Sequence, residues 1–253
     1  MHIPTLDSHA HINPSHSQVD LGASGAVLAM SLALDEAEHA LQRSDGFIAW
    51  GVGCHPRFLR SQEEFNVNRF RSLVEQTAIV GEVGMDAGSR VSLEMQQKIF
   101  RQVLETIASK PRLVSIHSFH ATGLVLQELQ YCPVAVPVLH WWTGNVAETE
   151  KAVELGCFFS IHSAVARHSK FRLHVPQDRI LVESDHGYND PPAAIPCRIE
   201  WVEYLAAQQY DMGVKELRKL AWTNLWRIFC RTKTSHLVPS AMADIFAKFI
   251  QPA

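Results

Sequence analysis

The chain has no surplus of either charge: 23 Lys and Arg stand against 26 Asp and Glu, a net −3 with histidine neutral. A protein that coats nucleic acid through a broad basic face carries an excess of Lys and Arg, so here any anionic substrate has to be gripped locally. Cysteine is scarce. Cys54, Cys132, Cys157, Cys197 and Cys230 form an odd, widely spaced set with no CxxC pair. That excludes a disulfide framework and a cysteine zinc knuckle, and predicts a reducing, cytoplasmic setting. No apolar run is long enough to cross a bilayer, so no membrane is expected as a partner. The opening "HIPTLDSHAHI" carries neither a basic nor an apolar leader region, which predicts no signal peptide. Low-complexity tracts are absent too.

What is present is a beat of β-rich runs. They fall at 2–10, 25–31, 47–53, 78–84, 113–117, 134–140, 157–161 and 179–185. Most are nearly continuous apolar stretches, as expected of parallel strands covered on both faces. Helix-like segments separate them, at 34–44, 62–76, 92–110, 122–130 and 145–156, with two more at 196–210 and 213–231. In 92–110, Leu93, Gln97, Phe100, Leu104 and Ile107 recur at helical spacing. Eight strands alternating with helices predict an α/β fold, a (β/α)8 TIM-type barrel over 1–231 in a chain of 253 residues. Strand count alone leaves an open doubly wound sheet as the rival. Residues 232–253 read as a tail rather than a second domain. Within it, Met242, Ile245, Phe246, Phe249 and Ile250 share one face of an amphipathic helix with Ser240 as its N-cap. That face can pack back onto the barrel or dock a partner protein.

Histidine is plentiful, with 14 in the chain. "TLDSHAHIN" places Asp7, His9 and His11 at alternate positions, which share a face in a strand. An isolated HxH is weak evidence for a metal. On a barrel, however, chemistry sits at the C-terminal strand ends, and several further candidates fall there. His9 and His11 end the first run, Glu82 the fourth, His117 the fifth, His140 the sixth and Asp185 the eighth. Taken singly, each reads as an ordinary hydrogen-bonded or capping residue. Together, four histidines and two carboxylates at one rim point to two divalent metal ions bridged by a carboxylate. Glu82, midway round the ring, is the natural bridge. Mixed imidazole and carboxylate donors suit Zn, Mn or similar ions better than thiolate-seeking ones. Asp185 is expected both to hold a metal and to take a proton from attacking water. Asp7 and Glu183 are placed behind the ligands, with Asp7 orienting a ligand histidine.

These residues carry a family resemblance. The chain resembles the TatD-family metal-dependent hydrolases within the amidohydrolase-like barrels. The resemblance rests on D-x-H-x-H at Asp7, His9 and His11, and on G-x-H-P from Gly53 to Pro56. "GEVGMD" (Gly81–Asp86), "IHS" (116–118), "HWWTG" (140–144), "DRILVESD" (178–185) and "NLWRIF" (Asn224–Phe229) complete it, in order across 5–230. It implies a TIM-type barrel with a metal pair. His9, His11, Glu82 and Asp185 would hold one ion, and Glu82, His117 and His140 the other. The ions would be Zn, Mn or Mg. It also implies phosphodiester cleavage, with DNA as the substrate of an exonuclease.

Two positions depart from the family pattern. The usual arginine two residues after the strand-five histidine is Phe119, and the usual aromatic after G-x-D is Ala87. His120, His162 and His186 lie near the same rim and could replace a lost phosphate contact. The chain is also similar to the TatD-like component of Qat anti-phage defence cassettes, which implies protein partners docking on the tail and a role in defence. His55 and Arg57 are candidate phosphate contacts, with a backbone-bound loop histidine as the other reading of His55. Trp141 and Trp142 are candidates for stacking a terminal base, with packing between barrel and helix as the alternative. Arg57, Arg60, Arg90, Arg167 and Lys170 fall in rim loops, where they could steer a phosphate backbone or simply be solvated. Another hydrolase of the same barrel (amidase, lactonase or nucleobase deaminase) and a non-catalytic scaffold are the rival functions.

Overall fold

The computed structural model describes residues 3–17, 25–166, 174–187 and 198–250. Arg167, Lys170 and Cys197 lie outside the described residues.

The eight expected strands form, all but the fifth shorter than the apolar runs that announce them. They are β1 (Leu6–Ala10), β2 (Ala26–Ala29), β3 (Ile48–Trp50) and β4 (Ile79–Gly84). β5 (Leu113–His117), β6 (Val136–Leu139), β7 (Phe158–Ile161) and β8 (Ile180–Val182) complete the set. Two parallel ladders, β1-β2-β3 and β4-β5-β6-β7-β8, account for all of them. The seams between the ladders decide between barrel and open sheet. Just past β3, Val52 bridges Val80 of β4, and Cys54 N donates to the Glu82 carbonyl at 2.9 Å. On the other side, Ala10 bridges His186, and Asp185 N donates to the His9 carbonyl at 3.0 Å. The ring is closed, as a TIM-type barrel requires, and the doubly wound alternative is excluded.

The helices outside the ring are α1 (Leu34–Leu41), α2 (Leu59–Glu63), α3 (Val67–Val74), α4 (Leu93–Ser109), α5 (Thr122–Tyr131) and α6 (Val146–Glu154). They continue with a short α7 (Ser163–Ala166), α8 (Glu200–Gln209), α9 (Val214–Thr232) and α10 (Ser240–Ile245). The single helix expected over 62–76 is instead two. Asn66 interrupts it because its side chain accepts from the backbone N–H of Asn68 and Arg69, both at 3.0 Å. An Asn that satisfies those N-terminal donors starts a new helix more readily than it continues an old one. In α4, Phe100, Leu104 and Ile107 of the expected stripe are buried. Leu93, at the helix start, is 37% exposed.

α9 secures the N-terminal end of the barrel. Trp222 Nε1 donates to the Pro4 carbonyl at 3.0 Å, and Asn224 Nδ2 donates to the carbonyls of Gln177 and Ile180, both at 2.9 Å. The tail packs onto α9. Met242, Ile245 and Phe246 are buried with Trp222, Leu225 and Phe229, and the Phe246 ring centroid lies 5.1 Å from that of Trp226. The apolar face proposed as a partner-docking surface is therefore largely covered by the barrel's own helix. Ser240 is the first helical residue rather than the N-cap, which is Pro239.

Candidate metal centre

Two local irregularities aim the site. The β1/β2 register shifts between Asp7 and Ala10, and the β4/β5 register shifts between Val80 and Val83. Each shift brackets a site residue, His9 in the first and Glu82 in the second. A bulge redirects side chains away from strict alternation. Close approach of the backbones helps. A Cβ on Gly84 (φ +132°) would lie 2.2 Å from the His117 carbonyl, and one on Gly53 would lie 2.4 Å from Glu82 N. Only hydrogen fits at either position.

The result is a carboxylate ringed by imidazoles. Glu82 Oε2 lies 3.3 Å from His9 Nε2, 2.9 Å from His11 Nε2 and 3.3 Å from His55 Nε2. Its Oε1 lies 2.5 Å from His117 Nδ1 and 2.9 Å from His140 Nε2. Asp185 Oδ1 is 3.6 Å from the Nε2 atoms of both His9 and His11. All six residues expected from the sequence therefore converge, and His55 joins them. His55 belongs to the cluster itself, and its Nδ1 accepts from Arg57 N at 3.1 Å.

Several residues hold the ligands from behind. His9 Nδ1 meets Ser115 Oγ at 2.8 Å, and His11 Nδ1 donates to the Met30 carbonyl at 3.1 Å. Asp86 Oδ2 lies 2.8 Å from His117 Nε2. Glu183 Oε1 stands 3.5 Å from His140 Nδ1 and accepts from Trp141 N at 2.6 Å. Asp7 stands behind the cluster as well: it accepts from the backbone N–H of His9 and of Ser184 and from Ser184 Oγ. Ser115 and Asp86 were missed from sequence, although both carried a signal. Ser115 precedes His117 by two on one strand, and Asp86 ends the "GEVGMD" motif.

Burial and mutual charge shape the protonation states. Burial works against charge on Glu82, yet the surrounding His55, His140 and His117 hold its carboxyl well below the usual range. Burial likewise opposes charge on His140, but Glu82 and Glu183 hold it well above an ordinary histidine. Desolvation pushes His9 down to about 4 and His55 down to about 3, and pushes Asp185 up to about 7.

These residues fit divalent cations. Grouped by donor atoms within 4.8 Å of one another, they include His9–His11–Asp185, Glu82–His117–His140 and His11–His55–Glu82. Glu82 Oε2 is buried without a hydrogen-bond partner. A buried acceptor left in this state marks a place where a cation completes the shell.

The cluster forms the floor of a cavity of about 260 Å³, whose walls include Arg57, Phe119, Trp141 and Thr143. Trp141 lines it. Trp142 does not: it is 2% exposed, donates from Nε1 to Thr149 Oγ1 at 3.0 Å and packs on Phe159, so its candidacy as a base-stacking residue is withdrawn. His120 borders a neighbouring open groove with Thr122 and Thr143. His186 contributes its backbone to the barrel seam, accepting from His11 N at 2.7 Å. The His162 ring lies tilted against Trp141, with centroids 3.8 Å apart. Arg60 does not line the cavity and pairs with Glu64 at 2.8 Å. Arg90 is exposed.

Comparison with known proteins agrees with this arrangement. A mouse protein named "Putative deoxyribonuclease TATDN3" is 23% identical, over 90% of this chain and 89% of its own. An Escherichia coli protein named "Uncharacterized metal-dependent hydrolase YcfH" is 25% identical, over 72% of this chain and 74% of its own. The crystal structure of YJJV, a TatD homolog from E. coli, superposes with a TM-score of 0.80 at 18% identity, covering 91% of this chain and 99% of that one. The family model described as TatD related DNase matches residues 6–230. With a closed barrel whose strand ends converge on one carboxylate, the chain belongs to the TatD-related DNase family of metal-dependent hydrolases.

Proposed function

We propose that the protein is a divalent-metal-dependent phosphodiesterase acting on DNA ends, with a pair of Zn, Mn or Mg ions held by His9, His11, Glu82, His117, His140 and Asp185. The observation that carries this reading is the Glu82 carboxylate, whose two oxygens each face a separate set of imidazoles within 3.3 Å. One carboxylate serving two donor sets is what a bridged metal pair needs. Bound divalent ions supply charge neutralisation at the phosphoryl group and lower the pKa of water.

The chain's own residues do the rest. Asp185, whose Oδ1 lies 3.6 Å from the Nε2 atoms of His9 and His11, takes the proton of the attacking water. Glu183 fixes the His140 ring and the Trp141 backbone together, so that ligand and cavity wall move as one. Ser115 orients the His9 ring, and the Met30 carbonyl fixes the tautomer of His11. The names of the mouse and E. coli relatives support a metal-dependent hydrolase and, more specifically, a deoxyribonuclease.

A metal-screened assay on end-labelled single- and double-stranded DNA tests the reading. Chelated protein should be inactive and should recover with Mn, Mg or Zn. Full cleavage after exhaustive chelation would refute it. Turnover of a cyclic amide with no cleavage of any phosphodiester would move the protein to the amidase rival.

A further inference from the structure

The metal floor does not say what part of a substrate lies above it; the cavity wall does. Among the described residues, Arg57 is the one Lys or Arg lining the cavity, and its Nε already lies 3.5 Å from Asp86 Oδ2. Among the described residues, a phosphate backbone running across the cavity wall would meet no cation besides Arg57. Aromatic surface is offered instead. Phe119 is 49% exposed and lines the cavity. Its ring is braced edge-on by His120 at 4.0 Å, as Trp141 is braced by His162 at 3.8 Å. Two braced aromatic rings over a polar floor lose little freedom on meeting a planar ligand. A cavity of about 260 Å³, at the small end of the range for ligand pockets, takes a single planar group of a nucleotide rather than a duplex.

We propose that Phe119, with Trp141, determines substrate choice by stacking the base of an unpaired terminal nucleotide, so that the enzyme selects nucleoside phosphodiesters by base face rather than by phosphate charge. This rests on the phosphodiesterase reading above and names the substrate feature that reading leaves open.

The test uses the full-length protein, metal-loaded and metal-chelated, with two probes: the dinucleotide pTpT and the same molecule with tetrahydrofuran in place of the terminal base. Wild type should bind pTpT by calorimetry roughly 5- to 100-fold tighter than the base-free analogue, the range that one base–aromatic stack provides. Phe119→Ala and Phe119→Leu should both lose most of that ratio, and Phe119→Tyr should keep it. Phe119→Leu preserves the apolar volume, so it guards against poor folding of the alanine variant. The dependence of binding on salt should be shallow, with a log–log slope of about −0.7 to −1.4, the value for one or two phosphates on a single strand.

Equal binding of the two probes by wild type would overturn the proposal. So would an unchanged ratio in both Phe119→Ala and Phe119→Leu, or a steep salt slope. If no metal supports cleavage but the Phe119-dependent binding ratio persists, the phosphodiesterase reading fails and the base site stands. If cleavage occurs without base preference, the reverse holds.

Discussion

Replacing Glu82 by Gln keeps the side chain's size and removes its charge, which isolates what the carboxylate does. In the folded protein five imidazoles approach its two oxygens at 2.5–3.3 Å, so both halves of the donor set lose their shared anion at once. Changing a residue that merely supports a metal ligand costs 10- to 100-fold in affinity; a bridging ligand should cost at least the upper figure. A ligand present at a hundred times its Kd stabilises the fold by about 2.7 kcal/mol. For a chain of this size each kcal/mol moves Tm by roughly 2–4 °C, so metal should raise the wild-type Tm by about 5–11 °C. Weakened a hundredfold, the same concentration of metal equals Kd, the gain falls to about 0.4 kcal/mol, and the rise shrinks to about 1–2 °C. The assay is differential scanning fluorimetry of each protein with and without Mn or Zn after chelation. The metal-induced difference is the readout, so any change in the intrinsic stability of Glu82→Gln cancels. A Glu82→Gln protein that keeps the full metal-induced rise would refute the bridge.

Other perturbations reach other links of the argument. Ser115→Ala should weaken metal binding by roughly 10- to 100-fold in a competition titration while the barrel stays folded, because Ser115 Oγ is what meets His9 Nδ1. Metal affinity should fall with falling pH: burial disfavours the charged His140 ring, but Glu82 and Glu183 hold it well above the usual histidine range, so a proton must leave as metal enters. The expected slope is about tenfold per pH unit for each proton displaced, and a flat profile between pH 6 and 8 would contradict it. Phe246→Ala should cost about 3–5 kcal/mol in urea unfolding, since its ring is 1% exposed and packs on Trp222, Trp226 and Phe229. A loss below about 1 kcal/mol would mean that the tail is not part of the barrel's core. Gly84→Ala should fold poorly or lose metal binding, because its Cβ would press on the His117 carbonyl.

The barrel could be read from the sequence because its signal is repeated. Eight apolar runs, each followed by a helical pattern, reinforce one another, and the candidate ligands mark the same end of the first, fourth, fifth, sixth and eighth runs. The helix break at Asn66 was hidden because the apolar spacing of 62–76 continues through it; only the side-chain cap betrays it. Trp141 and Trp142 could not be told apart as neighbours in a string. Period-two reasoning does place them on opposite sides of a strand, but β6 ends at Leu139 and Trp141 turns into the left-handed region at φ 40°. From there one indole reaches the cavity and the other the core.

That last feature recurs at the site. His120, Trp141 and Asp185 all take positive φ, at 50°, 40° and 50°, and each lies within three residues of the end of β5, β6 or β8. For a residue with a Cβ this conformation is unfavourable, at about 1–3 kcal/mol apiece, and an aromatic is a poor choice for it. The surroundings impose it. Trp141 N is held by Glu183 Oε1, and Asp185 N by the His9 carbonyl. The same two bonds tie β8 to the strands carrying His140 and His9. At Asp185 strain and barrel closure coincide: the bond from its N–H to the His9 carbonyl both joins β8 to β1 and sets Asp185 beside the imidazoles. Alternation along single strands cannot reveal this. It is a property of the closed ring, and the site exists only once the first and last strands have met.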